Sequence, residues 1–281
     1  MAMGTPFISR LEPSLLEGFK RGKPHDEQPP TVPEVFLHAM DVREKVFVEE
    51  QHVPLENELD ADDPRSCHWV VYATVDVSAE EEVRDHAGNV TQPRKSSTQN
   101  KPVGTIRAVP FPHEPHPKLG AEYWNGQLVS TGKETAHSLS TDSTLDRGLD
   151  RATTFHNGKE PYIKLGRLAV VKEYRGHGFS KLLVQTALTW LQSNPAFFDP
   201  SSAEVAQTGG LTKAVLPKWD GLVCVHAQKE AIGLWVKWGF VIDEEMGSWR
   251  EEGIHHVGMF KRIKHKTDGA SGVPTTSIVI G

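Results

Sequence analysis

One stretch constrains the fold more than any other. Tyr162-Ile-Lys-Leu-Gly-Arg-Leu-Ala-Val-Val171 is apolar and β-branched enough to read as a strand. Arg175-Gly-His-Gly-Phe-Ser180 follows almost at once. A helical pattern then runs from Lys181 to Leu191, with Phe179, Leu182, Leu183, Thr186, Ala187 and Trp190 on one side and Asn194-Pro195 as its stop. A strand that turns so tightly into a helix belongs to a mixed α/β sheet. Glycines at such a turn let the backbone bend sharply and approach a ligand closely. The unpaired amides of the helix N-terminus then point to one place, where the helix dipole favours negative charge. That arrangement suits a pyrophosphate, with Arg175 as an added cation. The alternative is an ordinary glycine-rich connector. A Walker loop is excluded because the Gly-Lys-Ser/Thr ending is absent, and a dinucleotide fingerprint fails because position 181 is Lys.

The rest of the chain supplies a sheet around this unit, with polar stretches between its parts. At 281 residues there is material for one large or two small domains, and no disulfide or metal is needed to stabilise a core of that size. Hydrophobic residues make up 37%, which fits a core diluted by polar insertions, and the net charge of -6 argues against bulk nucleic-acid binding. The spacing of Val35, Ala39, Val42 and Val46 predicts a helix from Pro33 to about Gln51, with Thr31 as a candidate cap. Strands are expected at His68–Val75, Pro102–Val109, Gly221–His226 and Gly253–Ile263, and a short one within Pro6–Leu16. Lys229–Trp238 reads as a helix closed by Gly239. The expected organisation is a flexible arm over residues 1–31, a single domain over 32–263, and a flexible tail over 264–281. Insertions fall at about 76–101, 111–160 and 193–219. Cys67 and Cys224 sit in apolar runs and read as buried free thiols in a reducing compartment. With no apolar stretch of membrane-spanning length and no signal sequence, a cytoplasmic or nucleocytoplasmic protein is expected.

Arg175-x-x-Gly178-x-Ser180, following Leu165–Val171, resembles the acyl-CoA signature Gln/Arg-x-x-Gly-x-Gly/Ala of the GNAT N-acetyltransferase superfamily, with a small Ser at the last position. Val42-Arg-Glu-Lys-Val-Phe-Val-Glu-Glu-Gln51, with Pro54, Glu58, Asp60 and Asp63 behind it, resembles the opening helix and loop of the ElaA-like branch. Cys224-Val-His-Ala-Gln228, Trp235–Phe240 and Gly253-Ile-His-His256 resemble its closing segments. The resemblance implies an α/β (α+β mixed-sheet) fold, the GNAT acyl-CoA N-acyltransferase fold with long polar insertions. The activity it implies is transfer of acetyl from acetyl-CoA to a primary amine by direct attack in a ternary complex. The alternatives are a catalytically weak acyl-CoA-binding or regulatory protein, and a protein or peptide N-acetyltransferase.

The same resemblance assigns roles. Arg175, Gly176, His177, Gly178, Phe179 and Ser180 would hold the pyrophosphate of CoA. Leu168, Ala169 and Val170 would pair their backbone with the pantetheine, in a gap where this strand splays from Leu222–His226. A base must take the amine proton. Glu50, Glu58 and His226 are the candidates, with Asp60 beside them. The plain reading of the acids is a solvated helix end and a loop acidic for solubility, and that of His226 is a packing histidine. Many family members carry a tyrosine acid four residues before the Gly of the helix-ending Gly-Phe. Here Trp235 stands there; indole cannot donate in that way, and it would pack beside the pantetheine. No metal is expected, and Pro112-His-Glu-Pro-His-Pro117 reads as a solvated loop. The expected partners are acetyl-CoA and an amine acceptor, without nucleic acid or membrane, and with a homodimer left open.

Overall fold

The N-terminal stretch is packed rather than loose. In a computed structural model that describes residues 5–131, 150–199 and 218–265, strand β1 (Phe7–Leu11) pairs antiparallel with β2 (Cys67–Glu80), Phe7 opposite Tyr72. Leu16 and Val32 are buried with Phe36 and Met40. These four apolar side chains are what hold the segment down, against a composition that reads as an arm. Helix α1 (Glu34–Arg43) begins just after Pro33, which stands at its N-cap, and continues into wider π-type turns over Glu44–Glu50. Thr31 does not cap it: its hydroxyl donates to the Glu17 carbonyl. A short α2 (Leu55–Glu58) follows.

The described residues divide into two compact units, residues 5–107 with 167–186, and residues 108–131 with 150–166, 187–199 and 218–265. In the first unit the strand order is β1, β2, β5 (Lys95–Val109) and β8 (Ile163–Val170), and β5 and β8 each continue into the second. The polar stretch read as a solvated insertion is an exposed extension of β2 and β5. The small hairpin of β3 (Val83–Arg84) and β4 (Val90–Gln92) lies between them. Backbone pairing carries the strands past the point where apolar alternation stops, which composition alone does not show. Val42, Val46, Ala169 and Val171 form one core cluster, and Ala39, Val70 and Tyr72 another.

In the second unit β8 pairs in parallel with β9 (Leu222–Gln228), Ile163 opposite Val223 through Leu165 opposite Val225. The sheet continues through β12 (Ile254–Arg262) and β11 (Ser248–Glu251) to β6 (Glu122–Trp124) and β7 (Gln127–Ser130), with β10 (Val241–Ile242) on β12. The run Leu222-Val-Cys-Val225 is buried throughout, as a central strand covered on both faces must be. Tyr162, Leu222, Cys224, Met246, Trp249 and Phe260 make its core. Helix α3 (Phe179–Ser193) runs from the first unit into the second and buries Phe179, Leu183, Val184, Ala187, Leu188 and Leu191, a single stripe at helical spacing. Helix α4 (Ile232–Lys237) ends at Gly239 in the left-handed region, as expected. Among the described residues no helix is long and apolar enough to cross a membrane. The expected tail beyond Lys264 and parts of two expected insertions, residues 132–149 and 200–217, lie outside the described residues, apart from His265.

Candidate active site

The glycine turn of the first unit faces open space. β8 alternates there: Ala169 is buried, while Leu168 and Val170 are half-buried on the opposite face. Just before them Arg167 takes φ +51, an uncommon conformation for a residue other than glycine. A single turn at Lys172–Tyr174 leads to Arg175. Gly176 and Gly178 have φ of +82 and +84, and a Cβ added to either would meet nothing within 4 Å. Open space therefore lies in front of both glycines. The amide of Leu182 bonds to the carbonyl of Gly178, so α3 begins there and the amides of Phe179, Ser180 and Lys181 have no partner within the helix. The Phe179 side chain is buried and anchors this end. The ring of His177 sits with Nδ1 3.0 Å from the Arg175 carbonyl.

Arg175 is held on two sides. Its Nε donates to the Val170 carbonyl, and its Nη2 donates to both carboxylate oxygens of Glu50, at 2.9 and 2.8 Å. Two residues expected in different roles, 125 positions apart, are thus one ion pair. Glu50 also borders a groove of about 1080 Å³, with Asp41, Glu49, His38, Tyr174 and His177 among the other residues that line it.

The acidic loop is not a solubility feature, and that plain reading is corrected by its partners. Arg43 is fully buried. It donates to Glu58 Oε1 at 2.6 Å and to both oxygens of Asp63. Arg107, also buried, donates to Asp60 and Asp63, and Arg167 reaches Asp60 at 3.1 Å and Glu58 Oε1 at 3.1 Å. Burial alone would raise the carboxyls of Asp60 and Asp63. Arg107, with Arg167 at Asp60 and Arg43 at both, holds them well below the usual carboxylate range. Burial pushes His68, whose Nε2 donates to the Asp63 carbonyl, down to about 4.

His226 and Trp235 belong to the second unit. His226 Nδ1 lies 3.3 Å from Glu251 Oε1, which also accepts the Trp249 indole N–H at 2.6 Å. The ring of His226 stands edge-on to Trp249. Its Nε2 is buried and has no hydrogen-bond partner among the described residues. Burial lowers the His226 pKa, against the pull of Glu251, so the ring is neutral near pH 7 with its lone pair on Nε2. Burial would raise Glu251, but the donated bonds from His226 and Trp249 hold it far below the carboxylate range. Trp249 and Glu251 were not among the expected site residues; the alternation of Ser248–Glu251 against β12 is the one signal for them. Trp235 is buried and packs edge-on against Phe240. Cys67 and Cys224 are buried free thiols as expected. Burial pushes Cys67 up to about 12 and raises Cys224 further.

No curated protein matches this chain. Among solved structures, an acyl-CoA N-acyltransferase from Pseudomonas aeruginosa is similar at 15% identity and a TM-score of 0.41, over 92% of this chain and 99% of that one. ElaA from Escherichia coli is similar at 14% identity and a TM-score of 0.41, over 92% of this chain and 100% of that one. The model of the acetyltransferase (GNAT) family matches residues 36–199, a span that takes in α1, the acidic loop, β8 and the glycine turn into α3. On that match, across more than half its length, the chain belongs to the GNAT acetyltransferase family.

Proposed function

We propose that the protein transfers acetyl from acetyl-CoA to a primary amine by direct attack, with both substrates bound together. The observation that carries this is the Arg175–Ser180 turn: two left-handed glycines facing open space at the start of a 15-residue helix. When bound, acetyl-CoA supplies an activated acyl thioester. The amides from His177 to Ser180 bind its pyrophosphate, with Arg175, Gly176 and Phe179 shaping the turn. The backbone of Leu168, Ala169 and Val170 aligns the pantetheine arm.

Of the candidate bases, His226 alone combines a neutral ring with an unclaimed nitrogen, and Glu251 fixes its tautomer. Glu50 instead neutralises Arg175, and Glu58 anchors Arg43. Neither cysteine is exposed or ionised enough to carry an acyl group, which supports direct attack over a covalent relay. A second reading, an acyl-CoA-binding protein with weak catalysis, is favoured by Trp235, which offers no acid for the departing thiolate. Calorimetric titration of acetyl-CoA into the wild type and Gly178→Glu tests the binding site. Release of free CoA thiol with an amine panel, for wild type and His226→Asn, separates the two readings. Acetyl-CoA binding that persists in folded Gly178→Glu would refute the assigned cradle.

A further inference from the structure

Pro112–Pro117, read from the sequence as a solvated loop, keeps Pro112, Glu114 and Pro115 exposed but buries His116 and Pro117 in the second unit. The His116 side chain is 0% exposed and lies against Tyr162 and Phe260. His116 Nε2 is 2.8 Å from His156 Nδ1, and His156 Nε2 is 2.8 Å from the Glu160 carbonyl. On its other side, His116 Nδ1 is 3.3 Å from Asp150 Oδ2, yet it makes no hydrogen bond among the described residues.

The protons of these rings cannot be placed satisfactorily. A carbonyl oxygen only accepts, so His156 Nε2 carries the hydrogen and, in the neutral ring, His156 Nδ1 is a bare lone pair. If His116 is protonated on Nε2, its Nδ1 lone pair faces a carboxylate oxygen. If it is protonated on Nδ1, two nitrogen lone pairs face each other across 2.8 Å. Each neutral tautomer sets acceptor against acceptor in the interior. A doubly protonated His116 would bury a cation whose Nδ1–H has no aligned acceptor. A metal cation between His116 Nε2 and His156 Nδ1 removes the conflict: it takes both lone pairs, and His116 Nδ1 then carries a hydrogen toward Asp150.

We propose that His116, His156 and Asp150 form a binding site for one zinc-like transition-metal cation. One ligand atom from each of the three lies within 4.8 Å of the others. Two imidazoles, one of them backed by a carboxylate, are a zinc-type arrangement. The outer partners are in place. Asp150 Oδ1 accepts the backbone amides of His116 and Arg151, which leaves Oδ2 facing the Nδ1 of His116, and the Glu160 carbonyl orients His156. Asp243 in turn accepts the Thr153 hydroxyl and the amides of Thr154, Phe155 and Met246, which fixes the turn that carries His156. Zinc–nitrogen bonds of about 2.05 Å in a tetrahedron set the two nitrogens about 3.3 Å apart, so the rings would separate by about 0.5 Å on loading. The site is a clamp between residues 112–117 and 150–160, in addition to the acyl-transfer site.

The test uses the full chain, stripped with a chelator, checked for folding by circular dichroism, and titrated with zinc by calorimetry and with cobalt(II) by visible absorption. The expected result is one equivalent bound, a visible cobalt band of a low-symmetry site, and a higher thermal midpoint with metal. His156→Gln should weaken binding about 100-fold; it also reports the background from the other histidines. Asp150→Asn is the second variant, for the case that His156→Gln does not fold. A folded wild type that takes up less than about 0.1 equivalent, or a folded variant that binds as tightly as the wild type, overturns the proposal. Both readouts are independent of acyl transfer, so failure here leaves the proposed activity standing, and the reverse holds too.

Discussion

Gly178→Ala and Gly88→Ala form a matched pair that isolates what the glycine turn does. Gly178 has φ +84 and Gly88 has φ +86, and a Cβ at either meets nothing within 4 Å. Both substitutions therefore carry the same backbone penalty, about 1–2 kcal/mol for an alanine held in the left-handed region. Reduced freedom of the unfolded chain returns about 0.4–1 kcal/mol, leaving a net loss of about 1 kcal/mol. For a chain of this size that lowers the thermal midpoint by about 2–4 °C in each variant. Gly88 lies in the exposed β3–β4 hairpin, so Gly88→Ala should bind CoA as the wild type does. Gly178→Ala adds a methyl to the space assigned to the pyrophosphate and should weaken CoA binding at least tenfold, about 1.4 kcal/mol. Differential scanning and calorimetric titration measure the two effects separately. Equal thermal losses with CoA affinity unchanged in Gly178→Ala would refute the reasoning, as would equal loss of affinity in both variants.

Asp63→Asn withdraws one charge from the buried Arg43–Arg107 pair and should cost about 3–5 kcal/mol. The expected fall in thermal midpoint is on the order of 10 °C, and a fall under about 2 °C would contradict the described network. Stability should decline in two legs as pH falls. His68 has a folded pKa lowered to about 4, so its contribution is lost from the unfolded value of about 6.5 downward, on the order of 3 kcal/mol in all. Asp60, Asp63 and Glu251 have depressed folded values, so theirs is present above about pH 4 and lost below it. A thermal midpoint flat from pH 6.5 to 4.5 would contradict the first leg. Neither cysteine should react with an aromatic disulfide reagent in the native protein, and both should react in denaturant; fast native labelling would place a thiol at the surface.

What could be read from the sequence was whatever is local in it. The turn from β8 into α3 is written in consecutive residues, and so is the stop at Gly239. The acidic loop shows how far such reading reaches. Glu58, Asp60 and Asp63 look like a solvated run because their cations, Arg43, Arg107 and Arg167, come from three other places in the chain. The same holds for Glu50 with Arg175, and for His116 with His156 and Asp150: the chemistry is set by a partner that no spacing rule connects. The extension of β2 and β5 was missed for a different reason. Its side chains face water, so no apolar period marks it, and its order comes from backbone pairing.

The buried charge network also dictates an order of assembly. Asp60 finds Arg107 across 47 positions and Arg167 across 107. Before those strands are in place, Arg43 and Arg65 offset Glu58, Asp62 and Asp63, while Asp60 has no cation. A fragment ending before β5 would keep Arg43 on Glu58 and Asp63 but lack both cations of Asp60. The loop therefore has its full set of ion pairs only when β5 and β8 supply Arg107 and Arg167. Without those two cations the buried position of Asp60 is costly, so the seating of this loop depends on strands that come much later in the chain.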